Sequence, residues 1–415
     1  MRLTGICLVM ALLFTPNALK GKTIPIREGQ SIQEAVDNAA EKDTLLLAAG
    51  LYQEHDIIIT KALTILGHNY PIIDGRGQGT LFTVAADHVH IHGLKMTNTG
   101  KSNIDDSAAI KFYDSKYCSV DDNILMDTFF GLHFSNSSRL TITNNRLHAA
   151  AEKEYHSGNG IHLWKCKDSL IEGNHIEGHR DGVYLEFVTN TTVQNNLVAG
   201  NKRYGLHFMF SHDNSYLKNT FRKNGAGVAV MYTKNVRMIE NIFEENWGAS
   251  AYGILLKDIS DSEVIGNTFR KNTVGIYMEG SSRNNFRHNT FRENGWALKL
   301  MASCDQNSFA ANNFTGNTFD ISTNGSLVLN TLKENYWDKY EGYDLDKDRF
   351  GDIPYRPINL YSVIVEKIPA AVILWRSFLV GLLDRMEKVI PSITPENMID
   401  ESPKMQPYDF SKASL

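Results

Sequence analysis
Apolar and polar residues alternate in short runs through the middle of the chain, and the runs return at a near-constant interval. The clearest marker is Asn, any residue, then a large apolar residue, which occurs ten times from Asn123 to Trp337. It reads Asn123-Ile-Leu125, Asn145-Arg-Leu147, Asn174-His-Ile176, Asn195-Asn-Leu197, Asn219-Thr-Phe221, Asn241-Ile-Phe243, Asn267-Thr-Phe269, Asn289-Thr-Phe291, Asn312-Asn-Phe314 and Asn335-Tyr-Trp337, at steps of 21 to 29 residues. A Gly followed by alternating apolar and variable residues keeps step with it, as in Gly182-Val-Tyr-Leu-Glu-Phe187, Gly205-Leu-His-Phe-Met-Phe210 and Gly275-Ile-Tyr-Met278. Each period is too short for a helix pair and holds two or three strand-length runs of period two, the mark of half-buried strands. One rung per repeat, stacked in parallel at about 4.8 Å, brings equivalent side chains into columns. Asn suits a fixed corner because it tolerates the left-handed turn conformation, and its amide can hydrogen-bond the Asn of the next rung. The pattern predicts an all-β chain, a right-handed parallel β-helix solenoid over 19–358 that is most regular over 119–337.

Both ends of a solenoid expose its apolar interior and need covers. Residues 29–54 predict a helix and then a strand: Ser31 is an N-cap with Glu34 in capping-box position, and Ile32, Ala35, Val36 and Ala39 form one apolar face. This opening resembles the first coil of the pectin-lyase-like superfamily and supplies an N-terminal capping helix. Less regular rungs follow at Ile57–Ile59, Leu63–Ile65 and Val89–Ile91.

Ahead of the body, residues 1–18 carry one early charge, Arg2, an apolar run from Ile6 to Phe14 and a small-residue end at Pro16-Asn17-Ala18. This predicts a secretory signal, too short to span a bilayer, and hence an exported protein. Loss of Cys7 with the signal leaves Cys118, Cys166 and Cys304. The first two fall about two rungs apart, roughly 9–10 Å by the strand spacing, beyond disulfide reach, so the fold is expected to rely on its backbone ladder. A net charge of −5, with 42% hydrophobic and 21% charged residues, fits one soluble body and argues against a nucleic-acid partner, which would want a basic face.

In the Gly phrase the two variable positions point out of the solenoid. The first outward column reads His133, His162, Tyr184, His207, Ala229, Leu255, Tyr277 and Lys299; the second reads Ser135, Trp164, Glu186, Met209, Met231, Lys257, Glu279 and Met301. Two thioethers on neighbouring rungs, about 4.8 Å apart, can share a soft cation with His207 as third ligand, and thioether with imidazole selects Cu(I) over hard or divalent ions. The candidate ligands are His207, Met209 and Met231, with Glu186 and His162 beside them; the plain alternative is a contact patch. His88, His90 and His92 alternate on one strand and read as its solvent face. An enzymatic reading, a polysaccharide lyase or hydrolase, needs clustered carboxylates. Glu186 and Glu279 stand four rungs apart, roughly 19 Å by the strand spacing, too far to act as a glycosidase pair. Asp181 with His179 and Arg180 at one turn leaves lyase-type proton abstraction open, and a purely structural or adhesive solenoid also remains open.

Beyond the repeats, 335–357 holds Asp344, Asp346, Asp348 and Asp352, spaced as in a calcium loop, though Arg349 stands where such loops carry Gly and no Glu closes the motif. This closing block, Asn-Tyr-Trp-Asp through Gly-Tyr-Asp-Leu-Asp-Lys-Asp to Gly-Asp-Ile-Pro-Tyr-Arg-Pro, following Asn-x-Phe rungs and a signal segment, resembles the NosD family over nearly the whole chain. The resemblance implies a periplasmic protein that works with an ABC transporter in building the copper sites of nitrous oxide reductase. The implied partners are separate permease and ATPase subunits, a copper-delivering chaperone and the reductase, with the membrane reached through the permease. No phosphate-binding Gly-rich loop occurs, so ATP hydrolysis falls to a partner and the chain itself is read as non-enzymatic.

The remainder, 359–415, is expected to be a helical tail and an arm. Its apolar run from Ala370 to Leu383 is too short to span a membrane. It suits docking through Ile373, Trp375, Phe378, Leu379, Leu382 and Leu383 on a permease or bilayer surface, or else a cap folded back on the solenoid. Pro391, Pro395, Pro403 and Pro407 favour an extended arm that wraps a partner.

Overall fold
The computed structural model describes residues 21–101, 106–150, 153–325, 329–389 and 398–410. The expected signal segment and Cys7, with Pro391 and Pro395, lie outside the described residues. The body is the expected parallel β-solenoid, of about 13 turns. Its strands form three sheets of 14, 12 and 13 strands, and every pairing within them is parallel.

The repeated Asn builds a buried ladder along the whole regular region. Asn219, for example, donates its backbone N–H (2.9 Å) and its Nδ2 (3.0 Å) to Asn241 Oδ1, while Nδ2 also reaches the Val193 carbonyl (2.8 Å). Two details differ from expectation. The left-handed corner is the residue before the ladder position, as in Asn144 (φ 56°), Gly173 (φ 67°) and Lys218 (φ 54°), so the ladder Asn faces the interior. At the fourth repeat the ladder residue is therefore Asn196, whose Oδ1 accepts from Asn174; Asn195 takes the left-handed corner at φ 55°.

A second ladder runs beside the first, from Asn201 through Asn224, Asn246, Asn272 and Asn294 to Asn317. Its members lie five residues after those of the first. Between the two, apolar residues stack inside the solenoid: Phe221, Phe243, Phe269, Phe291, Phe314 and Trp337 follow one another at centroid separations of 4.1 to 5.4 Å. The Gly that opens the outward strands has a steric cause. A Cβ on Gly205 would lie 2.7 Å from the Gly227 carbonyl oxygen and 2.8 Å from Asn224 Nδ2. Cys118, Cys166 and Cys304 are free and buried, and burial first pushes the Cys118 and Cys166 thiols up to about 11 and about 12.

Covers close both ends. Helix α1 (Ile32–Asn38) buries Ile32 and Val36; Ser31 accepts from the Glu34 N–H, and the Glu54 carboxylate accepts from Ser31 Oγ, Ile32 N–H and Gln33 N–H. At the other end the chain departs from the expected arm. Met398 joins the core, and the stretch holding Pro403 and Pro407 lies along the last rung, where Asp400 and Lys404 bridge to Leu332 and Tyr336 in parallel register. Helix α2 (Leu360–Lys367) buries Tyr361 and Val365 beside Phe319, a 3-10 turn spans Pro369–Leu374, and helix α3 (Phe378–Val389) follows. No helix among the described residues is long and apolar enough to cross a membrane.

Candidate metal centre
The 12-stranded sheet carries both outward columns, and its register is the one read from the repeats. Met209 and Met231 are Cα partners on adjacent strands, Tyr204–Met209 and Ala226–Lys234, and both are half-buried. Glu186 partners Met209 on the other side, and Lys257 partners Met231. His207 shares the strand of Met209 two residues away, hence the same face. The structure thus brings His207, Met209, Met231 and Glu186 to one patch.

Burial separates the histidine from the thioethers. His207 is buried, between Tyr184 (ring centroids 4.9 Å) and Tyr204 (4.8 Å). Its Nδ1 lies 3.6 Å from Asp181 Oδ2, beyond a hydrogen bond but within an ion-pair contact, and neither ring nitrogen has a hydrogen-bond partner. Asp181 is fully buried and accepts from Arg203 Nε at 2.8 Å. Burial drives its carboxyl up; the Arg203 guanidinium and His207 outweigh that and hold it below the usual carboxylate range. A buried carboxylate behind one imidazole nitrogen orients the ring and leaves the other nitrogen free for a metal, the arrangement common behind metal-bound histidines.

His162 does not join this patch. Tyr184 is its Cα partner toward His207, so the two histidines are two rungs apart, roughly 9–10 Å by the strand spacing. The ring of His162 instead meets His133, centroids 4.7 Å apart. Nor does the turn proposed for proton abstraction assemble: Asp181 is committed to Arg203, Arg180 Nε donates to Asn159 Oδ1 at 3.3 Å, and His179 is fully buried with Nδ1 3.4 Å from Ser157 Oγ. Glu186 and Glu279 are four registers apart, as read from sequence. Among the surface histidines, His90 pairs with Ser119 Oγ (2.7 Å) and His92 with Asp121 (2.9 Å).

The sequence model for "Periplasmic copper-binding protein (NosD)" matches residues 148–342, a span that includes His207, Met209, Met231 and Glu186. Over that span the chain is similar to the NosD family. Proteins called "Probable ABC transporter binding protein NosD" from Pseudomonas aeruginosa and Stutzerimonas stutzeri are 27% and 25% identical; the matches cover 87% of this chain in each case, and 87% and 86% of those proteins. Among solved structures, the mannuronan C-5 epimerase AlgE4 A-module of Azotobacter vinelandii aligns at TM-score 0.52 with 16% identity, over 73% of this chain and 89% of the module. The catalytic domain of a GH87 α-1,3-glucanase aligns at 0.57 with 13% identity, over 78% and 70%. At such identities these two show the solenoid fold alone.

The donor set is chemically apt for monovalent copper: two thioethers and an imidazole are soft to borderline ligands. Immediately beyond the second column an exposed aromatic ladder flanks the methionines. Phe187, Phe210 and Tyr232 stack at 5.3 and 5.2 Å, each in the left-handed conformation (φ 55°, 50° and 54°). Sequence reasoning passed over it, although the aromatic residue directly after Glu186, Met209 and Met231 was a visible signal.

The Asp-rich loop gathers ligand atoms of Asp344, Asp346 and Asp348 within 4.8 Å of one another. Arg349 adopts φ 79°, the conformation a Gly would take there, and its N–H donates to Asp344 Oδ2 at 2.9 Å. Asp352 stands apart in role: its Oδ2 accepts from the Leu345 N–H at 2.7 Å and braces the loop.

Of the expected docking residues, Ile373 and Phe378 are 86% and 88% exposed, and Leu379 and Leu382 are also exposed. Leu383 is half-buried. Trp375 is a correction: it packs inward, 5.3 Å from Phe319 and 6.0 Å from Tyr361, and fastens the tail to the solenoid.

Proposed function
We propose that this protein is an exported, non-enzymatic partner of an ABC transporter that receives Cu(I) on its outer face for assembly of the copper sites of nitrous oxide reductase. The observation that carries this is the juxtaposition of Met209 and Met231 on adjacent rungs beside His207, with Asp181 behind the imidazole. The transporter association is supported by the names of the NosD relatives above, and the nitrous oxide reductase pathway and the separate permease and ATPase subunits rest on the family resemblance.

The tail supports the same reading. Lys299 stands in the column of His207 four rungs on, and its Nζ pairs with Glu366 of α2 at 2.9 Å. Residues 359–389 thus sit on the copper-bearing face and offer exposed Ile373, Phe378, Leu379 and Leu382 to a permease. The cargo patch and the docking helix share one side of the solenoid, as a protein passing an ion to or from a membrane partner requires. The Asp344, Asp346 and Asp348 cluster is read as a calcium site that stiffens the closing loop.

The test is an anaerobic Cu(I) titration of the full mature chain against a competing chromophoric chelator, beside a Met209→Ala, Met231→Ala variant. Loss of a tight, sulfur-coordinated equivalent in the variant is expected. Equal uptake by both proteins overturns the site.

A further inference from the structure
The face that carries His207 holds a second group of imidazoles that the methionine patch does not use. His133 and His162 are Cα partners on strands Phe130–Ser135 and Ile161–Trp164. Their rings meet at 4.7 Å and 72°, and Phe130 packs against both at 5.8 Å. His133 Nδ1 and both nitrogens of His162 are buried without a hydrogen-bond partner.

An imidazole nitrogen shut away from water and left unpaired is costly, and a native fold keeps few of them without a reason. The two rings do not answer each other's need by charging. Burial, and then the Lys111 charge, hold His133 down to about 4; burial, then His133 and Arg180, hold His162 down to about 3. A neutral imidazole with an unpaired nitrogen is the form that binds metal.

Beside them lies room. A cavity of about 490 Å³ is lined by Asp106, Phe130, Glu154, Tyr155, His162 and Arg180. Glu154 and Tyr155 come from the insertion that makes the Asn145-to-Asn174 step the longest of the ladder, 29 residues. The repeat is lengthened where these histidines stand.

We propose that His133 and His162 form a second, nitrogen-only site for monovalent copper, under the insertion and separate from the methionine patch. Zinc asks for four ligands and here finds two imidazoles, whereas a closed-shell monovalent ion accepts two. With metal–nitrogen bonds of about 2 Å the two donor atoms stand about 4 Å apart, and the cavity gives His162 space to turn into that geometry. The column then offers His133 and His162, Tyr184, and His207 beside the methionines, a short path between an enclosed and an exposed copper position. This inference rests on the copper reading above.

The experiment is X-ray absorption at the copper edge with Cu(I) stoichiometry, on the full mature chain and on two variants. The unsubstituted protein is expected to hold two equivalents, one with sulfur neighbours and one with nitrogen alone. Met209→Ala, Met231→Ala should keep the nitrogen-only equivalent, and His162→Phe should keep only the sulfur-bound one. Failure of the methionine site removes the sulfur signal, whereas failure of this proposal removes the nitrogen-only signal, so the two outcomes are distinct. A single sulfur-bound equivalent that His162→Phe leaves unchanged overturns it. Should that variant not fold, Ag(I) added to unsubstituted protein carrying ¹⁵N-histidine decides: silver couplings on the His133 and His162 nitrogens support the site, and their absence refutes it.

Discussion

Asp400 stands against Asn335 as the next asparagine of the ladder would. Its Oδ2 accepts from the Asn335 N–H (2.9 Å) and Nδ2 (3.0 Å), repeating the two contacts that Asn335 Oδ1 makes to Asn312 (3.0 and 2.9 Å). The same carboxylate accepts from Trp337 Nε1 (3.1 Å) and the Glu334 N–H (3.0 Å). A residue 65 positions along the chain thus ends the ladder where no further rung exists.

Asp400→Ala leaves these buried donors unpaired, each costing on the order of 1–3 kcal/mol. The expected result is a clear drop in melting temperature and early proteolytic release of the C-terminal segment. Asp400→Asn keeps one oxygen for Asn335 and should lose less. An alanine variant that melts with the parent protein would show that the ladder needs no terminal acceptor.

The buried pair Asp181 and Arg203 gives a second prediction. Asp181→Asn removes the charge that answers a partly buried guanidinium and orients His207, which is strongly destabilising in such pairs, about 3–5 kcal/mol. Metal affinity should fall by roughly 10- to 100-fold, as for other residues placed behind a ligand. Cu(I) competition under conditions where the variant is folded, by circular dichroism, separates the effects. Unchanged affinity in folded protein would sink the positioning role.

Acid should destabilise the fold before carboxylates titrate. Unfolded histidines have pKa near 6.5, whereas His133 is held to about 4, His162 to about 3 and His179 to about 3, with burial the first cause in each. Between those values and 6.5 the unfolded chain binds more protons than the native one. Stability is therefore full above about pH 6.5 and falls as pH drops through that window, with a slope approaching ~4 kcal/mol per pH unit for three such groups. The lowered carboxyl of Asp181 adds a loss in the same direction at more acid pH. Melting temperature measured from pH 7.5 to 4.5 checks this, and a flat profile contradicts it.

Calcium should stiffen the closing loop. Millimolar Ca²⁺ is expected to raise the melting temperature and slow proteolysis between Tyr343 and Ile353, and Asp346→Asn should remove both effects. Identical curves with calcium and with chelator refute the site.

The exposed side of the tail predicts a binding defect without a folding defect. Phe378→Ser with Leu382→Ser alters residues that are 88% and 43% exposed, so melting should stay within a few tenths of a kcal/mol of the parent, while co-purification with the transporter permease is lost. Trp375→Ala does the reverse in part, loosening the tail from Phe319.

What the sequence by itself determined is the solenoid and its register. Period-two alternation and a recurring Asn are local signals, and parallel stacking converts equal positions into columns with no freedom to slip, so Met209 opposite Met231 was readable in advance. The second Asn ladder was readable too, in the spacing Asn-x-Phe-x-x-Asn of Asn219–Asn224 and Asn267–Asn272. Only the tertiary structure decided which of Asn195 and Asn196 faces inward, since either fits the motif and the choice depends on which residue takes the left-handed corner. It alone brought Arg203 onto Asp181 and laid Asp400 on Asn335. These are contacts between side chains of different rungs or distant segments, where direction and burial settle the partner and spacing along the chain carries no trace of it. The tail shows the same limit: an apolar helix must cover something, but only packing reveals that Trp375 turns inward while Phe378 stays in water.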